Sequence, residues 1–443
     1  MPGPASPAAL AELVSAVGSS RAAEAVEAAI EALTSGTPPV EVLRAAALGS
    51  APRYDLATGA PHGLIALAAA ANARGFMDEK SQALAALQAV HLAAASPKQS
   101  EPLRPAPIVS GEVAHLGRSA LLATRGGDLS EAESLFLGIV EEGWERRMAG
   151  DMLFRAALED CGDGGHKLLA SLKTWQLCQA LGFRDARTIL RPAIQYLVKG
   201  EKDSKSYDTM MGVLGKEWVD LEGLVLGSRS LDEAGTAEVG TVLAASSEEA
   251  CITGVLHLLR AGYAPAALAG GIVIEAGKRL LAPEDHPLAT AHAFLYAHAA
   301  HHVLNFSRTS ERLYALFQSA LRIRSPAPGL FPLPHVAPKD EGEGLATLAE
   351  DLKNCRAREA ISCVRTYLAN GHSSKRLFEV LGHEACLGSA VADQGHALSL
   401  VDACASEFST TRGPEIAMAL ANVMATSPGD VAAGKAWAAR LAP

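Results

Sequence analysis

Apolar residues recur at three- and four-residue spacing along most of this chain, which is the period of an amphipathic helix. Residues 8–34 read as one helical run with Gly36 as its stop signal, and VEVLRAAALGS follows Pro38 and Pro39 as a short second helix. A loop around APRYDLATGAP leads to two Ala-rich helices over about 62–74 and 78–96. The Pro-punctuated stretch 97–110 is a connection. GGDLSEAESLFLGIVEEGW predicts a helix in which Ser130 is the cap and Glu133 completes S-x-x-E. Further helices start near 151, 166, 185, 207, 247, 265 and 287. The five-proline segment 325–344 breaks the pattern most completely. It divides a main helical domain, 1–324, from a C-terminal helical unit, 345–443, packed on it. No segment alternates with the period of a strand; GGIVIEAG near 270 is the nearest, and it reads equally well as buried helix. The predicted fold is all-α, a large multi-helix bundle or solenoid-like array with room for a buried central site.

Composition sharpens this picture. Hydrophobic residues are 49% and charged residues 20% of the 443, a globular balance, while aromatics are only 5%. The core must therefore be built from Ala, Leu and Val, whose small side chains let helices approach closely. A formal net charge of -10 argues against nucleic acid and anionic membrane surfaces as partners. The seven cysteines are scattered without a CxxC pair, the pattern of idle thiols in a reducing compartment. MPGPASPAAL lacks the basic and apolar regions of a secretory signal, and no apolar stretch reaches the roughly 18 residues of a membrane span. The expected location is the cytoplasm.

The chemistry lies in the placement of histidines. His62, His166, His286, His372, His383 and His396 each follow a Gly or Pro, or precede a Pro, and open an apolar helical run. The N-terminal end of a helix is partially positive, so it keeps an imidazole neutral, and neutral imidazole is the metal-binding form. Several such starts converging on one point would gather neutral ring nitrogens around an ion. In HPLATAHAFLYAHAAHHVL the face Leu288, His292, Leu295, Ala299, His302 is otherwise apolar, so His292 points inward. His298 and His302 stand four apart and could chelate one ion, although His301 and His302 also read as a solvated flank. Lys173 lies seven residues after His166 on an apolar face. Such a lysine either snorkels to the surface or, if buried, has a lowered pKa and is open to carbamylation.

Taken in order, PHGLIAL, GDGGHKLLASLKTW with ILRPAIQYLVKGEKD, HPLATAH and ADQGHALSLVDA resemble the motifs of the questin oxidase-like proteins and a related group of bacterial helical proteins. The resemblance is spread over about residues 25–410 and rests on these short motifs. It implies an all-helical oxygenase that uses histidine-bound non-haem iron and dioxygen on polycyclic aromatic or similar hydrophobic substrates, with an electron-transfer partner where the chemistry needs one. Carried over residue by residue, His62, His166, His292 and His396 are the metal ligands, with His286 a replacement for His292. One departure stands out. Where the family pattern has a lysine three places after the last histidine, this chain has Ser399. Lys375 stands at that spacing from His372, and Lys173 is another substitute beside the metal.

Nitrogen-rich sites also take other divalent ions. The competing reading is a non-catalytic helical scaffold that presents a surface to a partner. A scaffold would show a strict repeat length, whereas the helix-start histidines are separated by 104, 120, 86, 11 and 13 residues. No P-loop, GxGxxG or GxSxG signature accompanies them, and the acidic residues beside Cys161 argue against a thiolate nucleophile.

Overall fold

Helix faces made of Ala, Gly and Leu allow near-contact between backbones, and the chain uses that freedom throughout. A Cβ added at Gly63 would lie 2.9 Å from Cα of Ala93, and one at Gly49 would lie 2.6 Å from the carbonyl of Val14. A computed structural model describes residues 7–441 except 105, 142–145, 283–286, 326–331, 338 and 428–429; for 287–290 it describes the backbone alone.

The first helices are α1 (Pro7–Gly18), α2 (Ala22–Thr34), α3 (Pro39–Ser50), α4 (His62–Asn72) and α5 (Glu79–Ala95). The run 8–34 is thus two helices rather than one. Gly18-Ser19-Ser20 breaks it, with Ser20 at φ +55°, while the apolar period continues across the turn and conceals it. Next come α6 (Val113–Gly126), α7 (Leu129–Glu141), α8 (Arg146–Leu158), α9 (His166–Ala180), α10 (Ala186–Ile189) and α11 (Arg191–Lys199). The cap of α7 is Asp128, whose Oδ1 accepts from the Glu131 amide at 3.0 Å, and not Ser130. Glu133 is buried and pairs with Arg191 at 2.8 Å, so it closes no capping box. A carboxylate at the cap outcompetes the later serine for the free amides.

The middle of the chain holds α12 (Lys205–Lys216), α13 (Leu221–Leu224), α14 (Glu233–Leu243), α15 (Glu248–Arg260), α16 (Pro265–Leu280), α17 (Pro287–Phe306) and α18 (Leu313–Ile323). GGIVIEAG lies inside α16 as buried helix. After the Pro-rich segment come α19 (Glu341–Lys353), α20 (Ala357–Ala369), α21 (Ser374–Leu387), α22 (His396–Thr411), α23 (Pro414–Thr426) and α24 (Ala432–Arg440). The fold is all-α: among the described residues there is no strand, only the isolated bridges Tyr54–Lys98 and Arg229–Tyr263. No helix of the described residues is long and apolar enough to cross a membrane.

Four helices occupy the middle. α4 touches α9, α9 touches α17, α17 touches α22, and α22 returns to α4. α4 is buried on every side from Gly63 to Ala71, and α9 from His166 to Trp175, as befits helices enclosed by others. These four run in the same direction. His62 and His166 meet at the starts of α4 and α9, and ten residues on, about 15 Å along each helix, Asn72 donates to Gln176 at 3.0 Å. Asn72 also donates to Asp402 of α22 at 2.9 Å. The C-terminal unit contributes α22 to this ring, while α21 packs on α5 and α23 on α16.

Candidate metal centre

Two copies of one turn build half of the site. Asp163-Gly164-Gly165-His166 and Asp393-Gln394-Gly395-His396 each pass through left-handed backbone before a helix begins at the histidine. The φ values are +51°, +67° and +87° at Asp163, Gly164 and Gly165, and +55° and +78° at Gln394 and Gly395. Gly165 is required twice over, because a Cβ there would also lie 2.5 Å from the Tyr296 ring.

The turn folds each histidine back on the carbonyl three residues earlier. His166 Nδ1 donates to Asp163 O at 2.7 Å, and His396 Nδ1 donates to Asp393 O. A carbonyl can only accept, so the proton sits on Nδ1 and leaves Nε2 with a bare lone pair. The Asp393 carboxylate also takes the amides of Gly395 and Ala397 at 2.9 and 2.8 Å, and Tyr196 donates its hydroxyl to Asp163. Both turns are thereby fixed from behind. His62 opens α4 after a loop held by the Tyr54 hydroxyl on Gly59 O at 2.5 Å. His292 is the sixth residue of α17.

The Nε2 atoms of His62 and His166 stand 3.4 Å apart, and those of His292 and His396 stand 2.6 Å apart. The rings of His166 and His292 join the two pairs with centroids 4.6 Å apart. His62, His166 and His396 each offer a ligand atom within 4.8 Å of the other two, in reach of a single ion. Burial is deep: His166 and His396 are buried, His62 and His292 half-buried. Burial, followed by repulsion from neighbouring imidazoles, pushes His62 down to about 3 and His292 to about 4, and burial lowers His396. Asp163 and Asp393 work against this and bring negative charge to a place where several helix N-termini meet.

The other sequence candidates lie elsewhere. His286 is outside the described residues. His383 is not at a helix start but inside α21, with Nδ1 3.0 Å from Ser81 Oγ. His372 precedes α21 and reaches Lys339 O at 3.1 Å. Lys173 does not snorkel, and it is not among the four rings. It is fully buried about 10 Å further along α9, with its ammonium 2.5 Å from Asp402. Lys375 is exposed and faces Glu379 at 3.9 Å, while Ser399 is buried and offers no charge. Burial raises the Cys161 thiol, in keeping with an inert cysteine.

Two cavities flank the histidines. One of about 360 Å³ is lined by His396 and by apolar residues that include Leu387, Leu398, Val423 and Met424, with Lys353 and Lys435 among its polar lining. The other, about 200 Å³, reaches His62 and is edged by Tyr54, Lys98 and Gln394.

Sequence reasoning missed the doubled D-x-G-H turn and the spacing that accompanies it. His62 to His166 and His292 to His396 are both 104 residues, a signal that was readable once His292 replaced His286. A comparison of the chain with known protein families, curated proteins and solved structures finds no match.

Proposed function

We propose that this chain is a non-haem metal oxygenase that holds iron between His62, His166, His292 and His396. It would act on a polycyclic aromatic or similar apolar molecule seated in the cavity beside His396. The observation that carries this reading is the cluster of Nε2 atoms at 2.6–3.4 Å within each pair. Bare lone pairs that close repel one another unless a cation or protons lie between them. Burial and mutual repulsion keep His62 and His292 neutral, so a single tautomeric Nε2 proton is all that can bridge each pair, and a metal ion takes its place. The donor set fits a borderline transition metal, and a carbonyl behind His166 and His396 is the usual arrangement for a metal-bound imidazole.

Iron, when bound, supplies the electron-transfer chemistry that activates dioxygen. The chain's own groups do the rest. The D-x-G-H turns fix tautomer and ring direction, so the ligands need not reorganise. The apolar walls of the larger cavity exclude water beside His396 and suit a flat hydrophobic molecule, whose polar substituents would meet Lys353 or Lys435. The cavity at His62 gives a small molecule such as dioxygen a second approach. The resemblance to questin oxidase-like proteins implies the same reaction class. Ser399 stands buried where the family pattern has a lysine, so no lysine at that position joins the four rings. Free thiols fit a reducing, cytoplasmic setting. A passive scaffold would have no use for inward-facing lone pairs.

Oxygen uptake tests the proposal. Protein loaded anaerobically with Fe(II) is mixed with polycyclic hydroxyaromatic compounds in an oxygen electrode. Uptake that depends on the aromatic compound and is lost in His166→Ala supports it. Iron-loaded protein that binds such a compound yet consumes no oxygen contradicts it.

A further inference from the structure

Below the four rings, α17 and α22 enclose another cluster of imidazoles. Glu407 places Oε1 2.8 Å from His298 Nδ1 and Oε2 2.8 Å from His301 Nδ1. All three side chains are buried. A carboxylate only accepts, so both histidines carry their proton on Nδ1, and a neutral ring then has its lone pair on Nε2. Among the described residues His298 Nε2 has no hydrogen-bond partner, and the residue is only 2% exposed. One turn on, His302 Nε2 is in the same condition. Leaving such a nitrogen unpaired is unfavourable, and here two of them sit four residues apart on one helix face.

Both residues line a cavity of about 290 Å³ together with His301, Asn305, Ser406 and Thr410. A carboxylate on one nitrogen of an imidazole that borders a cavity, with the other nitrogen unpartnered, is the arrangement of a metal-ligating histidine. We propose that His298 and His302 form a second metal site, distinct from the four-histidine centre, for one borderline divalent transition-metal ion such as Zn²⁺ or Co²⁺. Glu407 is its positioning residue. Among the described residues, three mutually close ligand atoms occur only at the four-histidine centre. The second ion is therefore held by two imidazoles, and water in the cavity completes its coordination. Its affinity is accordingly the weaker of the two.

Cobalt titration separates the sites, because ligand-field absorption reports each equivalent bound. Wild type should take up two equivalents, one weaker, and His302→Ala should take up one. His166→Ala should keep the weaker site, and the double variant should lose both. Equal stoichiometry in wild type and His302→Ala would overturn the proposal, as would folded His166→Ala that binds no cobalt. A measurement on unmodified protein covers the case of a variant that fails to fold. Long-range ¹H–¹⁵N NMR of the imidazoles, which also reads buried rings, should show Zn²⁺ shifting the Nε2 resonances of His298 and His302. Nε2 resonances unmoved by Zn²⁺ refute the site and leave the four-histidine centre untouched.

Discussion

Lys173→Met should destabilise the metal-free protein by about 3–5 kcal/mol and leave metal uptake at the four histidines intact. Lys173 is fully buried, and its ammonium lies 2.5 Å from Asp402, itself only 5% exposed. Among the described residues, removing the lysine leaves the carboxylate with Asn72 as its donor, at 2.9 Å. The desolvation of that charge is then no longer offset by its partner. At about 2.1 cal/mol/K per residue, the 443-residue chain unfolds with an entropy near 0.9 kcal/mol/K, so each kcal/mol moves Tm by roughly 1 °C. A fall in Tm of about 3–5 °C is expected in calorimetry of the stripped protein. Lys173→Met/Asp402→Leu removes both charges and should recover most of that loss. Metal content is the discriminating reading, because Lys173 lies about 10 Å along α9 from His166. A folded single variant that no longer binds metal would refute the structural role and return the lysine to the metal. A single variant as stable as wild type would refute the ion-pair energetics.

Gly165→Ala should cost about 2–4 kcal/mol, because a left-handed residue gains a Cβ only 2.5 Å from the Tyr296 ring, and chemical denaturation together with metal content should fall in parallel. Met424→Trp fills the larger cavity, so equilibrium dialysis should show affinity for a polycyclic aromatic compound at least tenfold lower at unchanged metal content. Burial lowers Lys98 to about 8, so its acetylation rate followed against pH should have its midpoint near 8 rather than near 10.5. The sign follows: folded Lys98 releases its proton before the unfolded chain does, so its contribution to stability grows as pH rises from about 8 towards 10.5 and is lost below about 8.

The four rings were legible because local rules place them. A glycine or proline before a histidine that opens an apolar run marks His62, His166 and His396, and the face of α17 marks His292. His383 satisfied the same rule and lies in mid-helix, because glycine preceding a histidine is tolerated inside α21, where Gly382 packs against Met77. Ser130 lost the cap of α7 to Asp128 two residues earlier, a contest between two plausible caps that spacing alone leaves undecided. Helices α6, α14 and α18 went unread beside proline and glycine breaks. What sequence could not supply was partnership at long range. Lys173 with Asp402, and Glu407 with His298 and His301, are 229, 109 and 106 residues apart, and nothing local announces either half.

X-ray absorption at the iron edge tests the central claim most directly. Protein loaded anaerobically with half an equivalent of Fe(II) fills the tighter centre first. The spectrum should show three to four imidazole nitrogens at about 2.1 Å, with the multiple scattering of the rings, and His62→Ala/His166→Ala should lose it. An iron environment of oxygen atoms alone, or one unchanged in that variant, would contradict a metal centre at His62, His166, His292 and His396.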